Sequence, residues 1–210
     1  MLEKIEGLYQ VRRKDIPKTG AVLAGAFQND PVWEKVLAGA AIEQRRAFFE
    51  SPVRYGLKYG RVYAASANLE GIAAWVPGEH ADMTLWRGFR SGSIFSGMKL
   101  GMKTIMQMKP IFEPLEADRR ANMAGRAYVY LMIIGVAPEF QSRGLGGKLL
   151  RAIIQESESA GTPLYLETAT VRNVGMYKRF GFKILNKMIH PIIDLPQWEL
   201  LREPKARKAP

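Results

Sequence analysis

The sequence predicts an α/β fold within a single domain, and three observations lead to this prediction. A chain of 210 residues is long enough to form one sizeable hydrophobic core without disulfide bonds. Its composition, 47% hydrophobic and 24% charged residues, lies within the range of soluble globular proteins. Segments with the two-residue period of strands alternate along the chain with segments of helical period. Because no internal repeat or low-complexity linker interrupts them, we expect residues 1–210 to form one domain.

The first sixty residues predict one strand followed by helices. Apolar and polar residues alternate over residues 8–12, as in a half-buried strand. The segment Asp15-Ile16-Pro17 then gives a helix-start signal before the apolar residues 21–27. Asp30-Pro31 repeats that signal, and apolar side chains recur at helical intervals over residues 41–59.

The middle of the chain predicts a pair of strands and then a helical insertion. Residues 61–65 and 72–76 have strand character, are joined by a short turn, and end at Pro77-Gly78. Apolar side chains then recur at steps of three and four residues. We therefore expect helices inserted between strands at about residues 78–124.

The remaining residues predict a second run of strands and helices. Residues 128–136 are mostly apolar and β-branched, which is typical of a buried central strand. A turn and helix follow over residues 138–160, then a short strand over 164–168, a helix over 171–179 and a final pair of strands. The tail, residues 203–210, carries three cations and two prolines, and we expect it to be frayed.

The composition excludes several kinds of site. The chain has no cysteine and two histidines, which rules out disulfides and thiolate sites and argues against a metal centre. The first residues lack the apolar stretch of a signal peptide, so we expect a cytoplasmic protein. The longest apolar stretch, near residues 94–108, is interrupted by Lys99 and Lys103 and is too short for a transmembrane helix. We expect no metal site and no membrane partner.

A glycine-rich segment joins the strand that ends at Val136 to a helix that starts with Lys148. It reads Gln141-Ser142-Arg143-Gly144-Leu145-Gly146-Gly147. Glycines let the chain turn tightly and approach a ligand, and the free amides and dipole of a helix N-terminus favour an anion. The pattern indicates a phosphate-binding turn, and a glycine-rich turn without a ligand is the alternative. It matches neither the Walker loop nor the dinucleotide-binding glycine pattern.

The pattern Gln141-x-x-Gly144-x-Gly146 resembles the signature of the GNAT (general N-acetyltransferase) superfamily. The resemblance covers residues 128–184 and includes Leu166-Glu167-Thr168, Asn173, Tyr177 and Gly181-Phe182 in the family's order and spacing. Residues 71–77 and the step Asp30-Pro31 resemble the subgroup that includes puromycin N-acetyltransferase. The resemblance implies a mixed, mostly antiparallel sheet of six or seven strands, an α/β (α+β) fold with helices on both faces. It also implies a splayed parallel strand pair that holds CoA.

The resemblance further implies that acetyl-CoA, or another acyl-CoA, is the co-substrate. Its pyrophosphate would lie on the amides from Ser142 to Gly147, and its pantetheine arm along the strand ending at Val136. A bulge in that strand would aim the amide of Val136 or of Ile134 at the thioester carbonyl. The implied cofactor-binding residues are Ile134, Val136, Gln141, Ser142, Arg143, Gly144, Leu145, Gly146, Gly147, Lys148 and Asn173.

Two residues are candidates for catalysis. Asn173 and Tyr177 are four residues apart, so they share one face of the predicted helix. The resemblance implies that Tyr177 protonates the departing CoA thiolate, and a packed aromatic with a satisfied hydroxyl is the alternative. Glu167, at a strand end, is a candidate base for the amine proton, and a salt-bridged or capping carboxylate is the alternative. Glu70 and His80, near other strand ends, are further candidates.

We therefore predict transfer of an acyl group, acetyl in the simplest case, from acyl-CoA to an amine of a small molecule or peptide in a ternary complex. A second hypothesis keeps the fold and CoA binding without catalysis. A third, nucleic-acid binding, is suggested by the net charge of +11. The cations are spread along the chain without a recognition motif, so we expect no nucleic-acid partner. The acceptor, and the formation of a homodimer, stay open.

Methionines in the insertion have two interpretations. Methionine suits irregular apolar surfaces that adapt to ligands, so these side chains could wall the acceptor pocket. Core packing at helical spacing is the alternative. The residues concerned are Met83, Met98, Met102, Met106 and Met108.

Overall fold

The structure is a computed structural model that describes residues 4–205, apart from the side chains of Met102 and Lys103. Its strands are β1 (Tyr9–Gln10), β2 (Arg61–Ala64), β3 (Gly71–Pro77), β4 (Val129–Val136), β5 (Leu164–Thr168), β6 (Lys183–Ile189) and β7 (Pro196–Arg202). Its α-helices are α1 (Ile16–Ala26), α2 (Pro31–Val36), α3 (Ile42–Tyr59), α4 (Leu85–Ser91), α5 (Ser93–Met98), α6 (Met102–Asn122), α7 (Leu145–Ala160) and α8 (Val171–Arg179).

The strands form one sheet in the order β1-β2-β3-β4-β5-β7-β6. All neighbouring strands are antiparallel except β4 and β5, which are parallel. The predicted mixed, mostly antiparallel sheet with one parallel pair is therefore confirmed.

The parallel pair separates soon after it begins. Val129 pairs with Leu164 and Tyr130 with Tyr165, and the pairing then ends. On the other side of β4, Leu131 pairs with Trp75 while Ile133 pairs with Ala74, so Met132 is an extra residue on β4. This irregularity is a β-bulge, a feature that bends a strand and redirects its amides. The splay lies between β4 and β5, as the family resemblance implied, and the bulge lies in β4 two residues before Ile134.

Two hydrophobic clusters cover the two faces of the sheet. Alternate residues of β3 divide between them, because successive side chains of a strand point to opposite faces. Ile72 and Ala74 pack in the cluster that contains Phe49 of α3. Ala73 and Trp75 pack in the cluster that contains Leu149 of α7. Helices thus cover both faces, as predicted.

Helices α4 to α6 lie between β3 and β4, in the region where the sequence predicts a helical insertion. We find no candidate for a membrane span among the helices of residues 4–205. Two residues of the tail that was predicted to be frayed make contacts. Glu203 forms an ion pair with Arg126 at 2.8 Å, and the amide of Lys205 donates to the carboxylate of Glu158 at 2.6 Å. Residues 206–210 lie outside the described residues.

Candidate functional site

The chain turns between β4 and α7 through backbone conformations that favour glycine. Ser142 and Gly144 have φ angles of 63° and 80°, both in the left-handed region. The side chain of Gln141 donates from Nε2 to the carbonyl of Val136 at 3.1 Å and so closes the turn. Gln141 therefore shapes this turn through its contact with the strand end.

The first turn of α7 offers backbone donors without acceptors. The amide of Lys148 is the first to donate within the helix, to the carbonyl of Gly144 at 2.9 Å. The amides of Leu145, Gly146 and Gly147 have no intrahelical acceptor, and the N-cap Gly144 has no side chain to supply one. A Cβ placed on Gly144 would meet nothing within 4 Å. This end of α7 is thus an open site with the polarity that anions prefer.

The two cations among the implied cofactor-binding residues differ in their contacts. Arg143 is exposed, and its guanidinium lies 5.2 Å from the centre of the Phe140 ring. The ammonium of Lys148 donates to the carbonyl of Ala65 at 2.8 Å and so ties α7 to the turn after β2. Arg143 is available to an anion, whereas one of the three ammonium donors of Lys148 is already used by Ala65.

A cavity of about 700 Å³ opens where β4 and β5 separate. Four of the predicted site residues contribute to its wall: Ile134, Glu167, Asn173 and Tyr177. Val136 and residues 141–148 do not line it; they lie towards the end of β4 and at the start of α7. The structure thus brings the two predicted catalytic residues to one cavity and leaves the glycine-rich turn beside it.

Tyr177 is buried in this wall with an unpartnered hydroxyl. The residue is 5% exposed, and its ring packs edge-on against Phe182 at 5.5 Å between centroids. No residue within the described part of the chain hydrogen-bonds its hydroxyl. Burial raises the pKa of the Tyr177 phenol, which therefore stays protonated at neutral pH.

Asn173 stands one helical turn before Tyr177 on α8. Its backbone amide donates to the hydroxyl of the N-cap Thr170 at 3.3 Å. Its side-chain Nδ2 donates to the hydroxyl of Thr168 at 3.2 Å. The side-chain oxygen of Asn173 is left as an acceptor at the cavity wall.

Glu167 takes part in a buried charge network. Arg119, which is 2% exposed, donates from Nη1 to Glu167 Oε1 at 3.0 Å and from Nη2 to Asp82 Oδ1 at 2.9 Å. The hydroxyl of Tyr130 donates to Glu167 Oε2 at 2.7 Å. Burial raises the pKa of Glu167, and the charge of Arg119 opposes that rise. Glu167 is therefore a salt-bridged carboxylate, and each of its oxygens keeps a second lone pair.

Sequence reasoning missed Arg119, Tyr130 and Asp82. Their contacts join residues 37 to 48 positions apart, so no local motif contains them. A signal for Arg119 does exist: it follows Phe112 and Leu115 at helical spacing, on the face of α6 that lines the cavity. An arginine on an apolar stripe indicates a buried partner.

The two further candidate bases lie away from the cavity. Glu70 accepts from the hydroxyl of Ser66 at 2.6 Å in the turn between β2 and β3, and this bond is the largest of the effects that lower its pKa. His80 packs on the ring of Tyr59 at 5.0 Å and lies 3.6 Å from Glu79. Neither Glu70 nor His80 lines the cavity, so the structure does not bring them together with Glu167 and Tyr177.

The methionines agree with the two interpretations only in part. Met83 and Met108 line the cavity, and Met108 also packs in the core. Met98 and Met106 are 52% and 69% exposed and do not line the cavity, so both interpretations are wrong for them. The side chain of Met102 lies outside the described residues. Helical spacing alone could not tell which side of each helix faces the cavity.

Comparison with known proteins identifies the family. Residues 115–184 match the family model described as acetyltransferase (GNAT) domain. The chain contains a GNAT acetyltransferase domain. The matched segment spans the splayed strands, the glycine-rich turn and α8. The predicted GNAT acetyltransferase domain is thus confirmed over residues 115–184, and the match supports N-acyl transfer from acyl-CoA to an amine as the class of reaction.

Whole-length similarities agree with this GNAT assignment. An uncharacterised N-acetyltransferase of Schizosaccharomyces pombe is 27% identical over 208 residues, which cover 93% of this chain and 83% of that protein. A solved Corynebacterium glutamicum structure, titled histone acetyltransferase and related acetyltransferase, has a TM-score of 0.64 at 20% identity, covering 96% of this chain and 98% of that one.

A second solved structure is the Drosophila melanogaster polyamine N-acetyltransferase, which forms N-acetylagmatine. It has a TM-score of 0.56 at 16% identity and covers 93% of this chain and 98% of that one. Both structural matches show the shared fold. The resemblance to the puromycin N-acetyltransferase subgroup stays a prediction.

Proposed function

We propose that this GNAT protein transfers the acetyl group of acetyl-CoA directly to the primary amine of an acceptor with an apolar body. The observation that carries the proposal is the buried Tyr177, whose unpartnered hydroxyl faces a cavity at the splay of β4 and β5. A buried phenol without a protein partner supports a role as proton donor to a bound substrate.

The residues present suit the parts of CoA. The open amides of Leu145 to Gly147, with Arg143, offer donors and positive charge for the pyrophosphate. The edge of β4 beyond Tyr130, left unpaired by the splay, offers backbone donors and acceptors for the pantetheine arm. Ile134 and Val136 lie on that edge, after the bulge, and their amides are the candidates to face the thioester carbonyl. Gln141, Ser142 and Gly144 hold the turn that brings these parts together.

Acetyl-CoA supplies an activated thioester, and residues of this chain donate and accept the protons that the transfer requires. We assign to Tyr177 the donation of a proton to the departing thiolate sulfur, because its raised pKa keeps the phenol protonated. Asn173, one helical turn before Tyr177, offers its side-chain oxygen to the cofactor. Both residues project from α8, which holds them at a fixed separation.

The amine must lose a proton before it can attack. An amine whose ammonium form has a pKa of about 10.4 is neutral in roughly one molecule per thousand at about pH 7.4. Glu167 is the proposed acceptor of that proton, directly or through a water, with its free lone pairs. Arg119 and Tyr130 position this carboxylate, and their hydrogen bonds fix which lone pairs remain.

The cavity wall supports an apolar acceptor. Trp33, Phe48, Phe49 and Phe112 line it, with Trp33 at 5.2 Å from Phe48 and 5.9 Å from Phe112 between ring centroids. Glu116 lines the same cavity. An amine with an apolar body can place that body on the rings and its ammonium near the carboxylates.

The test is release of free thiol from acetyl-CoA with phenethylamine and with spermidine, together with calorimetric binding of CoA. We expect CoA to bind and phenethylamine to be the better substrate by kcat/KM. Phe48→Ala should raise KM for phenethylamine and leave CoA binding unchanged. Absence of CoA binding would refute the function, and transfer to spermidine with none to phenethylamine would refute the apolar acceptor. CoA binding without thiol release for any amine would instead support the non-catalytic hypothesis.

A further inference from the structure

A ladder of exposed aromatic rings lies on helices α4 and α5. Trp86, Phe89 and Phe95 are 65%, 55% and 56% exposed. The rings of Trp86 and Phe89 stack at 6.2 Å, and those of Phe89 and Phe95 lie 5.9 Å apart, so the three form one continuous strip. We call these three residues the aromatic ladder. Contiguous exposed apolar surface of this kind marks an interaction site.

The sequence around the ladder carries charge of one sign. From Thr84 to Phe112 the chain has five Lys or Arg residues and no Asp or Glu. Arg90 holds its guanidinium 5.9 Å from the centre of the Trp86 ring. The ladder is therefore an apolar strip within a positively charged segment, and it fits an apolar partner with a negatively charged border.

A groove of about 390 Å³ adjoins the ladder at Phe89 and is lined by cations. Arg13, Arg54, Lys58 and Arg90 come to it from three separate segments of the chain. Within residues 4–205, Arg54 has an ion-pair partner, Glu50 at 2.9 Å, and the other three have none. We call these four residues the cationic groove. Its volume and charge suit phosphate groups.

We propose that the aromatic ladder and the cationic groove dock this protein on an anionic phospholipid membrane. Trp and Phe side chains settle at the boundary between headgroups and acyl chains. Each cation near an anionic leaflet strengthens binding by roughly fivefold. A second copy of the chain would bring another positive surface against this one, because a twofold contact pairs like with like. The proposal revises our expectation of no membrane partner, which rested on the absence of a spanning segment.

The experiment is sedimentation of the full chain with vesicles of phosphatidylcholine alone and of phosphatidylcholine mixed with phosphatidylglycerol. We expect binding to the mixed vesicles and little to the neutral ones. The pair Trp86→Ser and Phe89→Ser should lower binding at least about tenfold, since it removes two apolar side chains that would insert into the membrane interface. Both side chains lie outside the acceptor cavity, so thiol release in solution should not change.

Two further variants separate the contributions. Lys58→Ser with Arg90→Ser should weaken vesicle binding by about twenty-fivefold, at roughly fivefold for each cation. The matched control is Ile189→Ser with Ile192→Ser, which removes side chains 58% and 54% exposed on another part of the surface and should leave binding intact.

Four outcomes would overturn the proposal. The first is failure of the parent protein to sediment with the anionic vesicles. The second is a loss of binding in the control pair equal to that in the ladder pair. The third is a doubled mass in solution that the ladder variant returns to that of one chain, since a second copy would then cover the face. The fourth is binding to duplex DNA in place of vesicles, with the same dependence on the two ladder substitutions and the two groove substitutions. Circular dichroism of each variant excludes unfolding as the cause of a loss.

Discussion

The substitution Tyr177→Phe tests whether the phenol is a proton donor. It removes one oxygen atom and leaves the ring against Phe182, 5.5 Å away. Because no residue in the described part of the chain hydrogen-bonds this hydroxyl, the variant leaves no protein group unsatisfied. We therefore expect the free energy of unfolding to change by less than about 1 kcal/mol. Loss of a general acid lowers rates by about 10²- to 10⁴-fold, which corresponds to about 3 to 5 kcal/mol in the barrier.

The assay compares kcat, KM and urea denaturation for Tyr177→Phe and for a matched control, Tyr130→Phe. Tyr130 faces the same cavity, but its hydroxyl donates to Glu167 at 2.7 Å. Its removal deprives a buried carboxylate of a partner and should cost about 1 to 3 kcal/mol of stability. For Tyr177→Phe we expect a large fall in kcat, little change in KM for acetyl-CoA and unchanged unfolding. A kcat that stays close to the parent value would refute the role of Tyr177.

Three further predictions concern the cofactor turn and the buried charges. Gly144→Asp places negative charge at the start of α7 and should weaken CoA binding by about tenfold in calorimetry, whereas Gly144→Asn carries the same backbone strain without the charge and should weaken it less. Arg119→Met removes the ion-pair partner of the buried Glu167 and should lower the free energy of unfolding in urea by about 3 kcal/mol. Arg120→Met breaks a half-exposed ion pair with Asp82 and should cost less than about 1 kcal/mol. Burial raises the pKa of Glu199 to about 7 from an ordinary 4.5. Between these two values the native state holds a proton that the unfolded chain has lost. The free energy of unfolding should therefore fall by up to about 3 kcal/mol as the pH rises from 4.5 through 7. Glu199→Gln should abolish this slope in denaturation curves at pH 5 and pH 8; an unchanged slope, or the same effect from the exposed Glu203→Gln, would contradict the assignment.

Local patterns predicted much of the fold. The helix predicted at residues 171–179 is α8, with the same bounds, because Thr170 caps it and its apolar face is clear. The strands of the hairpin around residues 61–77 were predicted within two residues, since the turn between them is short. The start of α7 was placed late: the helix begins at Leu145, because Gly144 already acts as its N-cap. Glycines on both sides of Leu145 hid that boundary.

The site could be predicted in part. The motif from Gln141 to Gly147 and the spacing of Asn173 and Tyr177 are local, so the sequence carried them. The partners of Glu167 could not be found in this way, because Arg119 comes from α6 and Tyr130 from β4. Pairing of such residues depends on how the elements pack, which no local pattern encodes. The contact of Lys148 with Ala65, which is 83 residues away in the sequence, was not predicted for the same reason.

The separation of acceptor wall and cofactor site along the chain has a consequence for how this enzyme can diversify. Much of the acceptor wall comes from residues before β4, whereas the cofactor turn and α8 come after it. Substitutions in the earlier segment can therefore alter which amine is accepted without disturbing the machinery for acyl transfer. Arg119 is an exception, because its ion pair with Glu167 joins that segment to β5. Selection for a new substrate should accordingly leave this arginine in place while its neighbours on α6 change.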